Sequence, residues 1–265
     1  MLKLGLNQVS NKEYHDDSHF LSSSNLKLLL KDREQFYKEK ILGQKERKES
    51  AAFDEGSLVH SLILEPHRVN EDYAFFNGLR KAGPEFEKFK QYAQSKTIIS
   101  RPQKIRCDSF VEAYKKNPVA PTILSGGESE FTICQEISDV PVKIRADYIN
   151  LEKGYIADIK TTSYPADVDT FRLTTTQWGY DLSAALYTAV AAQYFNKPFD
   201  FYFVVIDKKN LVCEVYKASK KTLDSGMMQV AEALKIYKQC KATGVWTNDV
   251  QAPVIIKSEY EILEV

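Results

Sequence analysis

Two alternating segments joined by a short polar turn constrain this chain's architecture more than any other stretch. VKIRADYI (142–149) and YIADIKTT (155–162) flank the turn NLEKG. Strand side chains alternate faces with period two. Asp158 and Lys160 therefore share one face of the second strand, and Tyr155, Ala157 and Ile159 the other. In the first strand Val142, Ile144, Ala146 and Tyr148 alternate with Lys143, Arg145 and Asp147. A hairpin that sets Asn150 opposite Tyr155 also sets Asp147 opposite Asp158, on the same face.

Directly paired strand residues have Cβ atoms about 4.5–5.5 Å apart, and like charges there are destabilising. Two carboxylates so placed call for a neutralising partner. A hard divalent cation suits them, since Mg²⁺ is commonly held by one or two carboxylates together with substrate phosphate, and Mn²⁺ favours similar oxygen ligands. The Ile159 carbonyl lies between Asp158 and Lys160 and is a candidate further ligand. Lys160 is a compact cation that can position a nucleophile or stabilise a developing phosphorane. A plain surface hairpin with charged outer residues accounts for the spacing as well.

The flanking elements define the fold class. A Ser-rich start opens a helical pattern over 22–42, and EGSLVHSLILEP (55–66) reads as a short apolar helix stopped at Pro66. Residues 84–95 and 103–116 also read as helices. A Gly126-Gly127 turn precedes a strand over 130–137. After the hairpin the chain breaks near TTSYPADV, restarts as a helix near Ala166 and continues in a long helix over 176–195. Strands over 199–207 and 211–218 and a helix over 219–242 follow. The expectation is an α/β fold, a central mixed sheet of about five strands flanked by helices, with a mostly helical N-terminal region. One domain is expected, with residues 1–120 as its helical part, 121–243 as its core and 244–265 as a tail, since no Pro/Gly/Ser-rich linker divides the chain.

Composition excludes several classes. The 265 residues carry 36 basic and 36 acidic side chains, so any surface for nucleic acid must be local. The 27–49 stretch, with its mild basic excess, reads equally as a solvated helix face. Four scattered cysteines without a CxxC pair argue against zinc and iron–sulfur sites. With no leader peptide at the start and no run near the ~18 apolar residues of a span, a reducing, cytoplasmic setting without membrane contact is expected. No glycine-rich phosphate loop or serine nucleophile elbow is present.

KIRADYI followed by ADIKTTS resembles the second and third motifs of the PD-(D/E)XK nuclease superfamily. EGSLVHSLILEP and YHDDSHFLSSSNLKLLLKDREQFY (14–37) are similar, more narrowly, to segments of the RecE-like exonucleases, typified by the C-terminal domain of exodeoxyribonuclease VIII. The resemblance spans roughly residues 14–195. It implies a restriction-endonuclease-like core and metal-dependent hydrolysis of DNA. Asp147, Asp158 and Lys160 match the family's acids and lysine, and His60 matches a histidine that contributes to the metal site. By itself, a histidine on an apolar helix reads as a core residue. Glu128 or Glu130 matches an acid often found at the start of the preceding strand, and the sequence leaves that choice open. On the long helix the related RecB-like pattern is Gln-x-x-x-Tyr. Here Tyr187 matches the tyrosine, but Ser183 stands in place of the glutamine. Tyr180, Ser183 and Tyr187 share a helix face and are candidate substrate contacts, although packing on the sheet explains the tyrosines too. The resemblance further implies 5′-to-3′ digestion of linear duplex ends, a ring-shaped homo-oligomer and a single-strand annealing protein as partner.

Overall fold

The structure, a computed structural model, describes residues 2–44, 51–248 and 262–264. Its N-terminal part runs through β1 (Gly5–Asn7), α1 (Asn11–Asp16), α2 (Ser23–Lys31), α3 (Arg33–Phe36), α4 (Ala51–Leu64) and α5 (Val69–Asp72). β2 (Tyr73–Phe76), α6 (Pro84–Ala93), β3 (Thr97–Ser100), α7 (Arg101–Lys116) and α8 (Ala120–Ile123) follow. Then come β4 (Glu128–Ile137), β5 (Val140–Asn150) and β6 (Tyr155–Thr162). The chain goes on through α9 (Val168–Gln177), α10 (Tyr180–Phe195), β7 (Asp200–Asp207), β8 (Val212–Ala218), α11 (Lys220–Thr243) and β9 (Ile262–Glu264).

Five long strands, β4 to β8, form the body of one sheet, and the three-residue strands β1 and β9 extend its two edges. The order is β1-β4-β5-β6-β7-β8-β9. Every neighbouring pair is antiparallel except β6 and β7. A parallel pair needs a crossover, and α9 with α10 supplies it. The sheet is therefore mixed, as the order of elements in the sequence requires.

Helices cover both faces. On one, Leu26 and Leu29 of α2, Leu182, Leu186 and Val190 of α10, and Val230 and Leu234 of α11 bury against Phe131, Ile133, Val142, Ile144, Ile156, Phe201 and Phe203. On the other, Leu58 and Val59 of α4 and Phe110 of α7 bury against Ile159, Val204, Ile206 and Val215. β6 lies mid-sheet between these layers, which places its side chains among buried groups.

Local chemistry explains where elements start and stop. Ser22 caps α2 in a reciprocal arrangement with Asn25. The helical pattern over 22–42 is not continuous. Asp32 leaves helical geometry at φ −156°, and its side chain accepts from the Gln35 N–H to start α3. A π-helical turn over Tyr37–Ile41 ends the run. The long helix expected over 176–195 likewise starts only at Tyr180, because Gly179 takes a left-handed φ of +61° between α9 and α10. The N-terminal region is not wholly helical either, since β2 and β3 pair in parallel as a small second sheet.

Candidate active site

The β4–β5 hairpin sets the geometry. Ser138 and Asp139 both have positive φ, the conformation of a tight two-residue turn whose twist suits antiparallel strands. The register then runs from Ile137↔Val140 to Glu128↔Ile149, with one interruption, where Glu130 faces Asp147. Glu130 takes a φ of +53° there, and alternation in β5 flips at the same level. Ala146 belongs to the α10-side core, Tyr148 packs on the opposite side, and Ile149 is back on the α10 side.

The β5–β6 register is the one the turn dictates, Asn150↔Tyr155, Ile149↔Ile156 and Tyr148↔Ala157. There the ladder ends. Asp147 and Asp158 come next but do not pair as strand residues; instead Asp147 Oδ2 accepts the Ile159 N–H at 2.8 Å. The expectation of two acids facing each other across a regular ladder is thus corrected: they meet where β5 departs from β6 and a side chain replaces a backbone acceptor. The N–H and C=O of a strand residue point to the same edge, so the Ile159 carbonyl also opens into this gap, where His60 is its hydrogen-bonding neighbour.

Asp158, only 7% exposed, forms an ion pair with Lys160 through Oδ2. That buried oxygen has no hydrogen bond of good geometry. The Lys160 ammonium also lies 5.0 Å from the centre of the Tyr180 ring. His60, on α4, places Nδ1 3.3 Å from Asp147 Oδ2. One turn earlier, Gly56 brings α4 close to β6, and a methyl there would touch Thr161 Oγ1 at 3.5 Å.

Electrostatics follow from burial. Desolvation, then the charge of Asp158, pushes the Asp147 carboxyl well above the usual carboxylate range. Desolvation, then Lys160, lowers His60 and favours the neutral imidazole. Burial opposes the Lys160 charge, but Asp158 and Asp147 outweigh it and hold the ammonium above the ordinary lysine value. Desolvation also raises the Tyr187 phenol, which has Ser23 as a hydrogen-bond partner and feels both Asp158 and Asp147.

Glu128 and Glu130 lie in different surroundings. Glu130 adds to the field at Asp147 and His60. Its carboxylate is engaged by Arg145 Nε at 2.5 Å. Glu128 is exposed and stands opposite Ile149, beyond the gap. Tyr180 and Tyr187 both border the site. Ser183 is buried on α10 between them, and Tyr187 also packs edge-on against Phe201 at 6.3 Å. Sequence reasoning missed Arg145, Ser23 and Gly56. The alternation that exposed Asp147 also contains Arg145, and a glycine just before an apolar helical stretch is a signal for close packing on a strand.

Among the described residues, no three His, Cys, Asp or Glu side chains form a preassembled metal cage. Two carboxylates, a backbone carbonyl and a neutral imidazole are nonetheless a donor set for a hard divalent ion whose coordination is completed by water or substrate. The opposed ionisation of Asp147, buried beside the charge of Asp158, fits such an occupant.

A mixed sheet layered by helices, with an acid pair and a lysine where two central strands part, defines the class of folds built around a restriction-endonuclease-like core. The chain belongs to the family described as PDDEXK-like domain of unknown function (DUF3799), matched over residues 22–252, and so to the PD-(D/E)XK nuclease superfamily. Among solved structures it is similar to one titled "Putative exonuclease" from Eubacterium rectale, at 16% identity over 88% of each chain with a TM-score of 0.66. That likeness shows the fold. A protein titled SSO0001 aligns over 83% of this chain and 87% of its own at 14% identity, but its TM-score of 0.31 carries no argument. No curated protein matches. Among the described residues, no helix is long and apolar enough to cross a membrane.

Proposed function

We propose that this chain is a metal-dependent deoxyribonuclease that hydrolyses phosphodiester bonds of linear double-stranded DNA from its ends. The observation that carries the reading is the buried Asp158–Lys160 ion pair beside the buried Asp147 carboxyl in a PDDEXK-like fold. Asp147, Asp158, the Ile159 carbonyl and His60 would hold the ion, Mg²⁺ by preference and Mn²⁺ in substitution. When bound, it supplies neutralisation of phosphate charge and acidification of water.

The protein's own residues do the rest. Asp147 is fixed by the Ile159 N–H, so one oxygen is positioned before any ligand arrives. His60, kept neutral with Nδ1 against Asp147, presents its other nitrogen's lone pair. Lys160 stays protonated, which suits it to orient the attacking water and to stabilise negative charge on the phosphoryl oxygens rather than to remove a proton. The products are a 5′-phosphate and a 3′-hydroxyl. The likeness of this chain to RecE-like segments supports 5′-to-3′ polarity, a ring-shaped homo-oligomer, a role in recombination or phage DNA metabolism and partnership with a single-strand annealing protein.

The test is digestion of linear duplex by the purified protein with Mg²⁺. EDTA stops it, and Asp158→Ala and Lys160→Ala each lower the rate by at least about a hundredfold while far-UV circular dichroism stays native. Wild-type rates from either folded variant overturn the assignment.

A further inference from the structure

Trp178 is 50% exposed at the junction of α9 and α10, and among the described residues no aromatic ring packs on it. The chain's second tryptophan is the opposite case: Trp246 is 9% exposed and stacks on Phe36 and Tyr37. An indole left half in water two residues from a tyrosine that borders the site offers a flat aromatic face to a ligand there.

Its surroundings are cationic. The Lys27 ammonium, from α2, lies 3.5 Å from the Trp178 carbonyl oxygen and 5.9 Å from the centre of the Tyr180 ring. Lys160 approaches the same ring at 5.0 Å. The left-handed Gly179 makes this crowding possible, since a methyl there would come within 2.9 Å of Lys27 Cδ. Two ammonium groups thus share one tyrosine ring, and the exposed indole extends from the same α9–α10 junction. Cations that track a phosphate backbone, next to an aromatic face that accepts any base, are the two elements of single-strand recognition.

We propose that Lys27 and Trp178 form a strand-binding subsite beside the active centre, in which Lys27 contacts a backbone phosphate and Trp178 stacks on an unpaired base of the same strand. The inference rests on the nuclease reading of the neighbouring centre and adds what that centre grips: a single-stranded segment, frayed or already resected, leading to the scissile phosphate. Tyr180 is then a spacer between the phosphate held by Lys27 and the one beside Lys160.

The test uses tryptophan fluorescence of the full-length protein in EDTA, where nothing is hydrolysed. Single-stranded octathymidylate is titrated in, alongside an abasic strand with the same phosphates. Quenching by octathymidylate, with much less by the abasic strand, is expected, and Trp178→Phe abolishes it because only buried Trp246 remains. In steady-state digestion with Mg²⁺, Trp178→Ala raises the KM for a substrate with a single-stranded end about tenfold, with most of the loss in KM rather than kcat. Trp178→Phe restores most of it. Equal quenching by both strands, quenching that survives in Trp178→Phe, or an unchanged KM in Trp178→Ala overturns the subsite. Failure of the wild-type protein to cut DNA with any divalent ion overturns the nuclease reading instead, and the titration in EDTA still judges the subsite.

Discussion

At the scale of single residues, the site is a conflict between burial and charge. Asp147 ionises against desolvation and against Asp158. An isolated carboxyl loses its proton near pH 4, so above that pH the unfolded chain releases a proton that the folded apo protein retains. Stability of the apo protein therefore falls as pH rises toward the folded-state value of Asp147. Asp147→Asn removes the conflict while its amide oxygen can still accept the Ile159 N–H. Without divalent ions the variant should melt above wild type at pH 7, and the gap should close as pH falls to about 4. A gap that is absent at pH 7 or widens toward pH 4 contradicts this account. How far the residues were legible follows the same logic. Alternation found Asp158 and Lys160 because β6 is regular. It misjudged how Asp147 reaches them, because alternation presumes an unbroken ladder, and at Glu130 and Asp147 both strands depart from it.

At the scale of elements, the site depends on close approaches that hold its walls. α10, which carries Tyr180 and Tyr187, crosses α11 at Gly226, where an added methyl would sit 2.1 Å from the Asp181 carbonyl oxygen and 2.8 Å from Ala185 Cβ. In an exposed helix, Gly→Ala stabilises by about 1 kcal/mol. Here the sign reverses. Gly226→Ala should destabilise by about 1–3 kcal/mol through overpacking, read as a lower urea midpoint. A midpoint at or above wild type would show that the helices have room to part. The hairpin register was readable because NLEKG closes as a turn, with Gly154 at φ +71° and the Asn150 side chain accepting from Lys153 N–H. The break at Asp32 and the left-handed Gly179 were less visible, since a capping aspartate and a lone glycine inside an apolar pattern also occur in continuous helices. β2 and β3 are four-residue strands, too short for a period to emerge.

At the scale of the whole molecule, α2 and α3 bury into the same core as β4 to β7 and α10, and Ser23 of α2 bonds Tyr187 beside the centre. On this ground we propose that the chain works as one domain whose N-terminal helices are part of the active-site wall. The basic residues Lys45, Arg47 and Lys48 lie outside the described residues, so among the described residues the proposed local surface for DNA rests on Lys27 and Lys160. With zero formal net charge, attraction to DNA must come from such asymmetry rather than from the overall field. An end-dependent enzyme should digest linear duplex and leave covalently closed circles intact, and light scattering should give a mass that is a small multiple of 30.3 kDa. Equal loss of circles would make it an endonuclease of the same fold.

The central claim is that Asp147 and Asp158 come together to hold one kind of ion. Calorimetric titration of Mn²⁺ into the metal-free protein addresses it without requiring substrate or turnover. Saturable binding in the wild type that disappears in Asp158→Asn is the predicted result. Binding of equal strength in both proteins, or none in the wild type with or without a DNA end present, would contradict it.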